Sequence, residues 1–585
     1  MSLRSKLQVN YDRTLARRDL IAGLTVAAIA LPQGMAYALI AGVDPKYGVF
    51  SAIVVTLIAS IFGSSSHLIN GPTSAISLLV FSSLAFIDPE NRTELFEALF
   101  VLGVLVGTIQ ILIAVFKLGD LTRYISESVI VGFMAAAAFL LALGQLGNAL
   151  GVKDRGNGNM QVLYRTYLTL FHGDAINYRA VVLSVTALVA AVVLRKLVQR
   201  FGWPQIDMLA VLIVTALIAY FSGWSTPGHG GKTAVSITGK IPASLPDFHI
   251  PVVHWEWLPH LSEGALAVAF IGLIEALSIA KAIAHQTQQK IDYNRQIAAE
   301  GLANLTGGFF QSLPGSGSLS RSAINFQAGA ATRFSGVVAA ATVAGALLLF
   351  APLLSYIPKA ALAGLLLVTA VRLVDFHRLV YTVRASRYDA GLVIVTAITG
   401  VAVDLDKAVL LGVLLSILLF VPRASKLKIA ELVVTPERVV RERVDGEPDN
   451  PATLIYDVEG EVYFGAAPEL EQALDALTER VRAEDTKFVV LRLKRARNPD
   501  AVGIERIERF LHDLTELGVT VLLAGVRPEI LDVLGNVGLR KWFPDEHVFP
   551  EEDKEFSATL KAVRYAESQR APDGVSARED LYYLV

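Results

Sequence analysis

The sequence predicts a polytopic α-helical membrane domain of about fourteen segments, followed by a soluble α/β domain. Composition is the first observation behind this fold class. The 585-residue chain is 53% hydrophobic and only 18% charged, whereas soluble proteins carry about 25% charged residues. The second observation is an uneven distribution, because long apolar stretches fill the chain up to about residue 425 and an ordinary polar composition follows.

The apolar stretches are long enough to span a membrane. Residues 20–43 include no charged side chain and, at about 1.5 Å per residue, exceed the ~30 Å hydrocarbon core of a bilayer. Similar segments follow at 45–63, 97–116, 124–146, 178–199, 205–222, 262–285, 334–354, 359–373, 388–403 and 406–422. Three less regular stretches, at 72–86, 296–310 and 320–333, are short or interrupted by Gly, Pro and Ser. Including them gives about fourteen segments.

Basic residues near the ends of the spans predict the orientation. Arg and Lys cluster before the first predicted span and after the sixth, eighth, twelfth and last. These positions all fall on one side, which we interpret as the cytoplasm. The basic N-terminal stretch leads into a full-length apolar span rather than a cleavable signal. We therefore expect a multi-pass inner-membrane protein with a cytoplasmic N-terminal segment (1–18), a transmembrane transport domain (19–425) and a cytoplasmic C-terminal domain.

The spacing of two interrupted segments indicates an internal repeat. From Asp19 to the break at Gly71 is 52 residues, and from Ser262 to the break at Gly315 is 53. The two halves, about 19–222 and 262–425, hold seven predicted spans each, and an odd number inverts the second half relative to the first. Interrupted segments at corresponding positions of inverted halves are typical of a transporter's binding site.

The C-terminal region changes to short strands that alternate with amphipathic helices. The predicted strands are 454–458, 488–493 and 519–524, and the predicted helices are 468–483, 503–517 and 528–537. This alternation predicts a small α/β domain over 430–565. The polar residues 566–585 are expected to form a loose tail.

The two Gly-, Ser- and Pro-rich breaks supply candidate anion-binding groups. Each break is followed by a short apolar stretch, so its hydroxyls and Arg321 lie at the N-terminus of a half-helix. Such an end carries about half a positive charge and unpaired N–H donors, which favour anions. Arg321 adds a full charge, although snorkelling to an interface or a structural ion pair would also explain it. The candidates are Thr73, Ser74, Ser318, Ser320 and Arg321.

Two other spans contribute polar side chains. Gln33 and Tyr37 lie four residues apart, on one face of a helix that Pro32 is expected to kink, and both can donate hydrogen bonds to an oxyanion. An interhelical bond from Gln33 would explain the same pattern. Glu275 lies in mid-span and is a candidate proton carrier, because desolvation disfavours its charged form. A purely structural pair with Arg321 is the alternative.

These motifs resemble those of the SulP family of anion transporters, related to the sulfate/anion-exchanger solute carriers. The similar segments are 31–50, 70–77, Glu275-Ala and 317–323, and the resemblance extends over nearly the whole chain. It implies a seven-plus-seven inverted repeat with core and gate domains, as in uracil-permease-like transporters. It also implies an elevator-type movement, a homodimer and a C-terminal STAS domain. The anion site it implies is lined by Gln33, Tyr37, Ser320 and Arg321.

The function implied is secondary active transport of a small inorganic anion, above all sulfate uptake by proton symport through Glu275. Sodium is the other coupling ion considered, but Ile279 stands where sodium-binding members carry a hydroxyl. The alternatives are a bicarbonate or C4-dicarboxylate symporter, a chloride/anion exchanger and, in another class, a channel or a STAS-based sensor. No catalytic or metal constellation favours an enzyme or a cofactor. The absence of Cys excludes thiol chemistry, and the near-zero net charge gives no reason to expect nucleic acid.

The predicted STAS domain departs from its family pattern at one turn. The usual Asp-Ser-Ser/Thr-Gly sequence reads Asp500-Ala-Val-Gly503. Ala501 has no hydroxyl to phosphorylate, so we do not expect a kinase switch at this turn. A nearby basic group is expected to form a solvated face or a contact with the membrane domain rather than a nucleotide site. Its members are Arg492, Lys494, Arg495 and Arg497.

Overall fold

The computed structural model describes residues 11–88, 91–118, 126–153, 155, 160, 162–201, 207–226, 233–239, 241–424, 426–435, 440–444, 452–554 and 556–570. The chain divides near residue 417 into a first unit made of helices and a second unit built on a sheet. The predicted N-terminal segment lies outside the described residues up to residue 10, and so does the predicted tail from residue 571 onward.

Seventeen α-helices lie in the described part of the chain up to residue 424. They are α1 (Arg13–Ile40), α2 (Pro45–Phe62), α3 (Ser74–Ser83), α4 (Arg92–Val115), α5 (Glu127–Gly144), α6 (Leu146–Leu150), α7 (Val162–Phe171), α8 (Tyr178–Phe201), α9 (Asp207–Phe221), α10 (Leu258–Thr287), α11 (Tyr293–Phe309), α12 (Leu319–Gln327), α13 (Phe334–Leu354), α14 (Lys359–Leu373), α15 (Phe376–Ala385), α16 (Arg387–Ala402) and α17 (Leu405–Ala424). Fourteen of them lie on the predicted segments. The other three, α6, α7 and α15, are short helices that hydropathy did not reveal.

The two predicted interruptions produce half-length helices. Eight helical segments of the described chain are at least 18 residues long and apolar enough to cross a membrane. By contrast, α3 has 10 residues and α12 has 9, too few to cross alone. Their starting points follow from the sequence, because Thr73 and Ser318 are N-caps whose hydroxyl oxygens accept a backbone N–H of the first turn.

Close backbone contact fixes α1 against α2. The helix α1 continues unbroken through Pro32, so the expected kink does not interrupt it. A Cβ atom on Gly48 would lie 1.9 Å from the carbonyl oxygen of Gly34, and one on Gly34 would lie 2.7 Å from the carbonyl oxygen of Gly48. Only glycine at both positions allows this approach. The structure therefore assigns Gly34 and Gly48 to the packing of α1 against α2.

Two short strands bring the two breaks together. β1 (Asn70–Gly71) and β2 (Ser316–Gly317) pair antiparallel, with Asn70 opposite Gly317 and Gly71 opposite Ser316. Each strand is followed within a few residues by its half-helix, α3 or α12. A Cβ atom on Gly315 would lie 2.6 Å from backbone atoms of Gly71, so glycine permits the two chains to meet. The corresponding breaks of the two halves thus form one structural feature.

The second unit is an α/β domain. Its strands and helices are β3 (Lys428–Val434), β4 (Val440–Glu442), β5 (Thr453–Glu461), α18 (Ala467–Ala483), β6 (Phe488–Arg492), β7 (Ala496–Arg497), α19 (Ala501–Glu516), β8 (Thr520–Val526), α20 (Pro528–Asn536), β9 (Val548–Pro550) and α21 (Ser557–Arg570). The main sheet has the order β4-β3-β5-β6-β8-β9. Strands β5, β6, β8 and β9 are parallel, and β3 and β4 join antiparallel at one edge. Because α21 reaches Arg570, the first residues of the predicted loose tail are helical.

The predicted basic face is wrong for Arg492. This side chain is fully buried, and its Nη1 donates to both carboxylate oxygens of Asp457 at 2.7 Å. The guanidinium also lies 4.9 Å from the ring centre of Phe556. Lys494 donates to two backbone carbonyl groups, those of Glu552 and Lys554. Both cations therefore stabilise the interior and edge of the domain instead of forming a solvated face.

Loss of the Asp457 charge should destabilise the second unit. We expect Asp457→Asn to lower the free energy of unfolding of this unit by about 3–5 kcal/mol, because it leaves Arg492 buried without a counter-ion. Hydrogen–deuterium exchange on the full-length protein should then accelerate in peptides from β5 and β6. Asp475→Asn, at an exposed position of α18, is the matched control. Unchanged exchange of β6 in Asp457→Asn would contradict the prediction.

Candidate anion-binding site

The antiparallel pair of β1 and β2, which we call the crossing, lies where the two interrupted segments meet. It places the N-termini of α3 and α12 at one point of the membrane domain. α3 begins at Ser74 and α12 begins at Leu319, each just after its strand. The first turn of any helix has N–H groups without intrahelical acceptors, and its macrodipole leaves about half a positive charge there. Two such ends at one crossing create a positive region without any ionised side chain, which suits an anion.

Arg321 adds a full positive charge at this crossing. It is fully buried, and its Nη2 donates to the carbonyl oxygen of Pro72 at 2.8 Å. A Cβ atom on Gly71 would lie 3.2 Å from both terminal nitrogens. Among the described residues, the Nε and Nη1 atoms of Arg321 have no hydrogen-bond partner. Unpaired buried donors on a cation are costly, so this arrangement fits a ligand that accepts hydrogen bonds from both.

Glu275, on α10, contacts the same broken segment. Its Oε2 accepts a hydrogen bond from Oγ1 of Thr73 at 3.2 Å, and its side chain is only partly buried. Arg321 and Glu275 therefore bind adjacent residues, Pro72 and Thr73, and the structure shows no ion pair between these two described side chains. The structural ion pair between Glu275 and Arg321, which the sequence left open as an alternative, is therefore not formed in this structure.

The candidates on α1 lie beside the half-helices, because α1 packs against both α3 and α12. Gln33 is buried, and its Nε2 lies 3.7 Å from the sulfur of Met208 on α9. Its Oε1 has no hydrogen-bond partner within the described part of the chain. Tyr37 is also buried and is near enough to Arg321 and Glu275 to interact electrostatically. The interhelical contact considered for Gln33 is thus present, and its amide oxygen is unpaired among the described residues.

The hydroxyl candidates differ in what they already bind. Thr73 accepts the N–H of Ile76 at 3.3 Å and uses its hydrogen on Glu275. Ser318 accepts the N–H of Arg321 at 3.5 Å, and its oxygen lies 3.4 Å from that of Ser320. Ser74 is buried in the first turn of α3, whereas Ser320 is exposed. All four hydroxyls lie at the two half-helix N-termini, and Thr73 has no donor left for a ligand.

Two residues on α11, Glu300 and Asn304, contact the interrupted segments but were not among the candidates predicted from the sequence. Glu300 accepts hydrogen bonds from Nδ2 of Asn70 in β1 and, at 3.1 Å, from Nε2 of Gln296. Asn304 binds the backbone of Gly315 just before β2. The sequence contained a signal for Glu300, because an acidic residue within a membrane segment is by default a functional candidate. No cluster of three or more His, Asp or Glu suited to a metal ion occurs among the described residues.

Two family models match the chain. The model of the Sulfate permease family matches residues 17–396, and that of the STAS domain matches residues 444–555. The chain belongs to the sulfate permease family. This is a family of membrane transporters, and the resemblance predicted from the motifs, including the STAS domain, is confirmed.

Relatives of known description match this chain over most of their length. YvdB of Bacillus subtilis (strain 168) is 28% identical over 93% of this chain and 98% of its own. Sulfate transporter 2.1 of Arabidopsis thaliana is 28% identical, with 90% and 80% covered. Sulfate transporter 4.1, chloroplastic, of the same plant is 26% identical, with 90% and 78% covered.

Solved structures of other transporters share the fold of this chain. Murine Solute Carrier 26 family member A9, an anion transporter in the inward-facing state, superimposes with a TM-score of 0.85 at 20% identity, covering 97% of this chain and 93% of its own. The transmembrane domain of the cyanobacterium bicarbonate transporter BicA gives 0.58 at 23% identity, covering 70% and 98%. At these identities the similarity concerns the fold, and it confirms the predicted fold class.

A side chain at position 71 should disturb the site. Gly71 has φ of +137°, which an alanine adopts with strain, and its Cβ atom would press on the Arg321 guanidinium. We therefore expect Gly71→Ala to remove most anion uptake in proteoliposomes. Gly345→Ala is the control, because a Cβ atom there, within α13, meets open space. Equal uptake by the two variants would show that the crossing tolerates displacement.

Proposed function

We propose that this protein is a secondary active transporter that takes up sulfate by proton symport. The proposal depends on one observation, the buried Arg321 with Nε and Nη1 unpaired among the described residues at the junction of two half-helix N-termini. A tetrahedral oxyanion offers acceptors in several directions, so it can bind the guanidinium edge and both helix ends together. The names of the Arabidopsis relatives, which are sulfate transporters, favour sulfate among the possible anions.

Glu275 is the proposed proton carrier. Its carboxylate contacts Thr73, the cap of α3, so its charge acts directly on the anion site. Protonation removes one negative charge from the moving unit, and one net charge crossing the membrane costs about 2.3 kcal/mol per 100 mV. Ile279, one helical turn further along α10, is buried and supplies no oxygen ligand. This favours a proton over sodium as the coupling ion.

An elevator-type movement is part of the proposal. Helices α1–α4 pack mainly against α10–α13, whereas α5–α9 pack mainly against one another and against α14 and α16. Contacts between the two groups are fewer and involve chiefly α1, α3, α5, α9 and α14. The proposed anion site lies in the first group. In this proposal the first group is the core domain, which moves, and the second group is the gate domain.

The proposal also places both termini in the cytoplasm and the functional protein in a homodimer of the inner membrane. The basic residues at the span ends support this orientation. The chain contains no Cys, so single cysteines introduced into its loops can be labelled from either side without interference. The molar mass of the detergent-solubilised protein tests the dimer.

Proton coupling predicts a specific pattern of uptake. In proteoliposomes, radiolabelled sulfate should enter faster under an inward proton gradient, and Glu275→Gln should remove this dependence because its side chain stays neutral at every pH. Glu263→Gln, at an exposed position of the same helix, should keep it. Gradient-insensitive wild-type uptake would contradict the coupling. Uptake of bicarbonate or a C4-dicarboxylate, but not of sulfate, would replace sulfate as the proposed substrate. Currents far above carrier rates would indicate a channel instead of a transporter.

Arg321→Ala should weaken transport more than folding. We expect sulfate uptake to fall at least about tenfold, since a charged hydrogen-bonding group at the anion is lost. The unfolding temperature in detergent should change by only a few degrees, because removal of a buried charge without a counter-ion also removes its desolvation cost. Arg387→Ala, at an exposed position, is the control. A large fall in unfolding temperature with normal uptake per folded molecule would contradict the assignment.

A further inference from the structure

Helix α11 carries a row of buried polar side chains that the proposed transport cycle does not use. Gln296, Glu300 and Asn304 follow one another at intervals of four residues, so they lie along one face of the helix. Each is only 1% exposed. Burial of a polar side chain is unfavourable unless it is hydrogen-bonded, and the partners of this row indicate what it does.

Glu300 determines the position of the first short strand. One of its carboxylate oxygens accepts a hydrogen bond from Nδ2 of Asn70, in β1, and the other accepts one from Nε2 of Gln296 at 3.1 Å. The Oε1 atom of Gln296 in turn accepts the backbone N–H groups of Ser64 and Ser65, at 2.9 and 3.1 Å. Both β1 and the segment that leads into it are therefore attached to α11.

Asn304 determines the position of the second strand. Its Oδ1 accepts the backbone N–H of Gly315 at 2.8 Å, and its Nδ2 donates to the carbonyl oxygen of Gly315 at 3.0 Å. The same Nδ2 donates to Oε1 of Gln110 on α4, also at 3.0 Å. Because Gly315 directly precedes β2, one side chain fixes both backbone groups of the residue at which the second break begins.

The helix that carries these side chains is itself held closely against α4. A Cβ atom on Gly107 would lie 2.3 Å from the backbone nitrogen of Leu305, and one on Gly301 would lie 2.8 Å from the backbone nitrogen of Ile111. Backbones in such close contact cannot slide or rotate past each other without a clash. The pair α4–α11 therefore forms a rigid support for Glu300 and Asn304.

We propose that Glu300 and Asn304 are positioning residues for the anion site. From the α4–α11 support they hold Asn70 and Gly315 where the two half-helix N-termini and Arg321 converge. Neither needs to touch the anion. This inference rests on the proposed function, because it assumes that the transported anion binds at the crossing of β1 and β2.

An exchange of the paired groups tests the first contact. Glu300→Gln replaces a charge-assisted hydrogen bond with a weaker neutral amide–amide contact, and Asn70→Asp places two carboxylates together, so each single variant weakens the pairing. The double variant Asn70→Asp/Glu300→Gln restores it in reverse, with the amide at position 300 donating to the carboxylate at position 70. The amide oxygen at position 300 remains available to Gln296.

The expected result is a change in apparent affinity. We expect each single variant to raise the KM for radiolabelled sulfate in proteoliposomes about tenfold, which corresponds to about 1.4 kcal/mol, with a smaller effect on the maximal rate. The double variant should return to within about threefold of wild type, since paired residues are not additive. Asn304→Asp, which sets a carboxylate against the carbonyl oxygen of Gly315, should also raise the KM. Glu263→Gln should leave it unchanged.

The outcomes separate this inference from the proposed function. Wild-type protein that neither transports nor saturably binds sulfate would remove the proposed function itself. If the wild type transports sulfate, single variants with normal KM, or a double variant no better than the worse single one, would overturn the positioning role. Should a single variant fail to accumulate in the membrane, recovery of both accumulation and KM in the double variant supports the pairing, and absence of recovery overturns it.

Discussion

A polypeptide backbone that leaves helical hydrogen bonding within a bilayer needs another partner inside the protein, because lipid offers none. This constraint governs the crossing of β1 and β2. The strands pair with each other, the side chain of Asn304 binds the backbone of Gly315, and the hydroxyl of Thr56 donates to the carbonyl oxygen of Asn70 at 2.6 Å. The first turns of α3 and α12 have N–H groups without intrahelical acceptors, as at any helix start, and this is the chemical basis of the proposed anion site.

The charges around the crossing follow from the same arrangement. Arg321 and Glu275 do not neutralise each other directly; they bind the adjacent residues Pro72 and Thr73. The proposed anion region therefore keeps a cation whose Nε and Nη1 donors are unpaired among the described residues, while the acid contacts the cap of one half-helix. A direct ion pair would have satisfied both groups and left less to offer a ligand.

The sequence was sufficient to predict the breaks and their relation, because Gly, Pro and Ser interrupt apolar stretches at equivalent distances within two halves. The sequence also drew attention to Arg321 as a candidate, since a cation in such a segment is conspicuous. The role of Glu300 was not predictable in this way, because its partner Asn70 is remote in sequence and only the packing of α11 brings them together. Arg492 was misassigned for a similar reason. It is buried because parallel pairing sets it opposite Asp457, and hydropathy does not reveal strand register.

The origin of β1 and β2 in different halves of the chain has a consequence for biosynthesis. The ribosome releases the first break long before the second, so β1 has no partner strand while α4–α11 are being made and inserted. During that interval its backbone depends on water or on the insertion machinery for hydrogen bonds. The proposed anion site consequently cannot be complete before residue 317 has been made, and a chain truncated before residue 316 would lack the partner strand of β1.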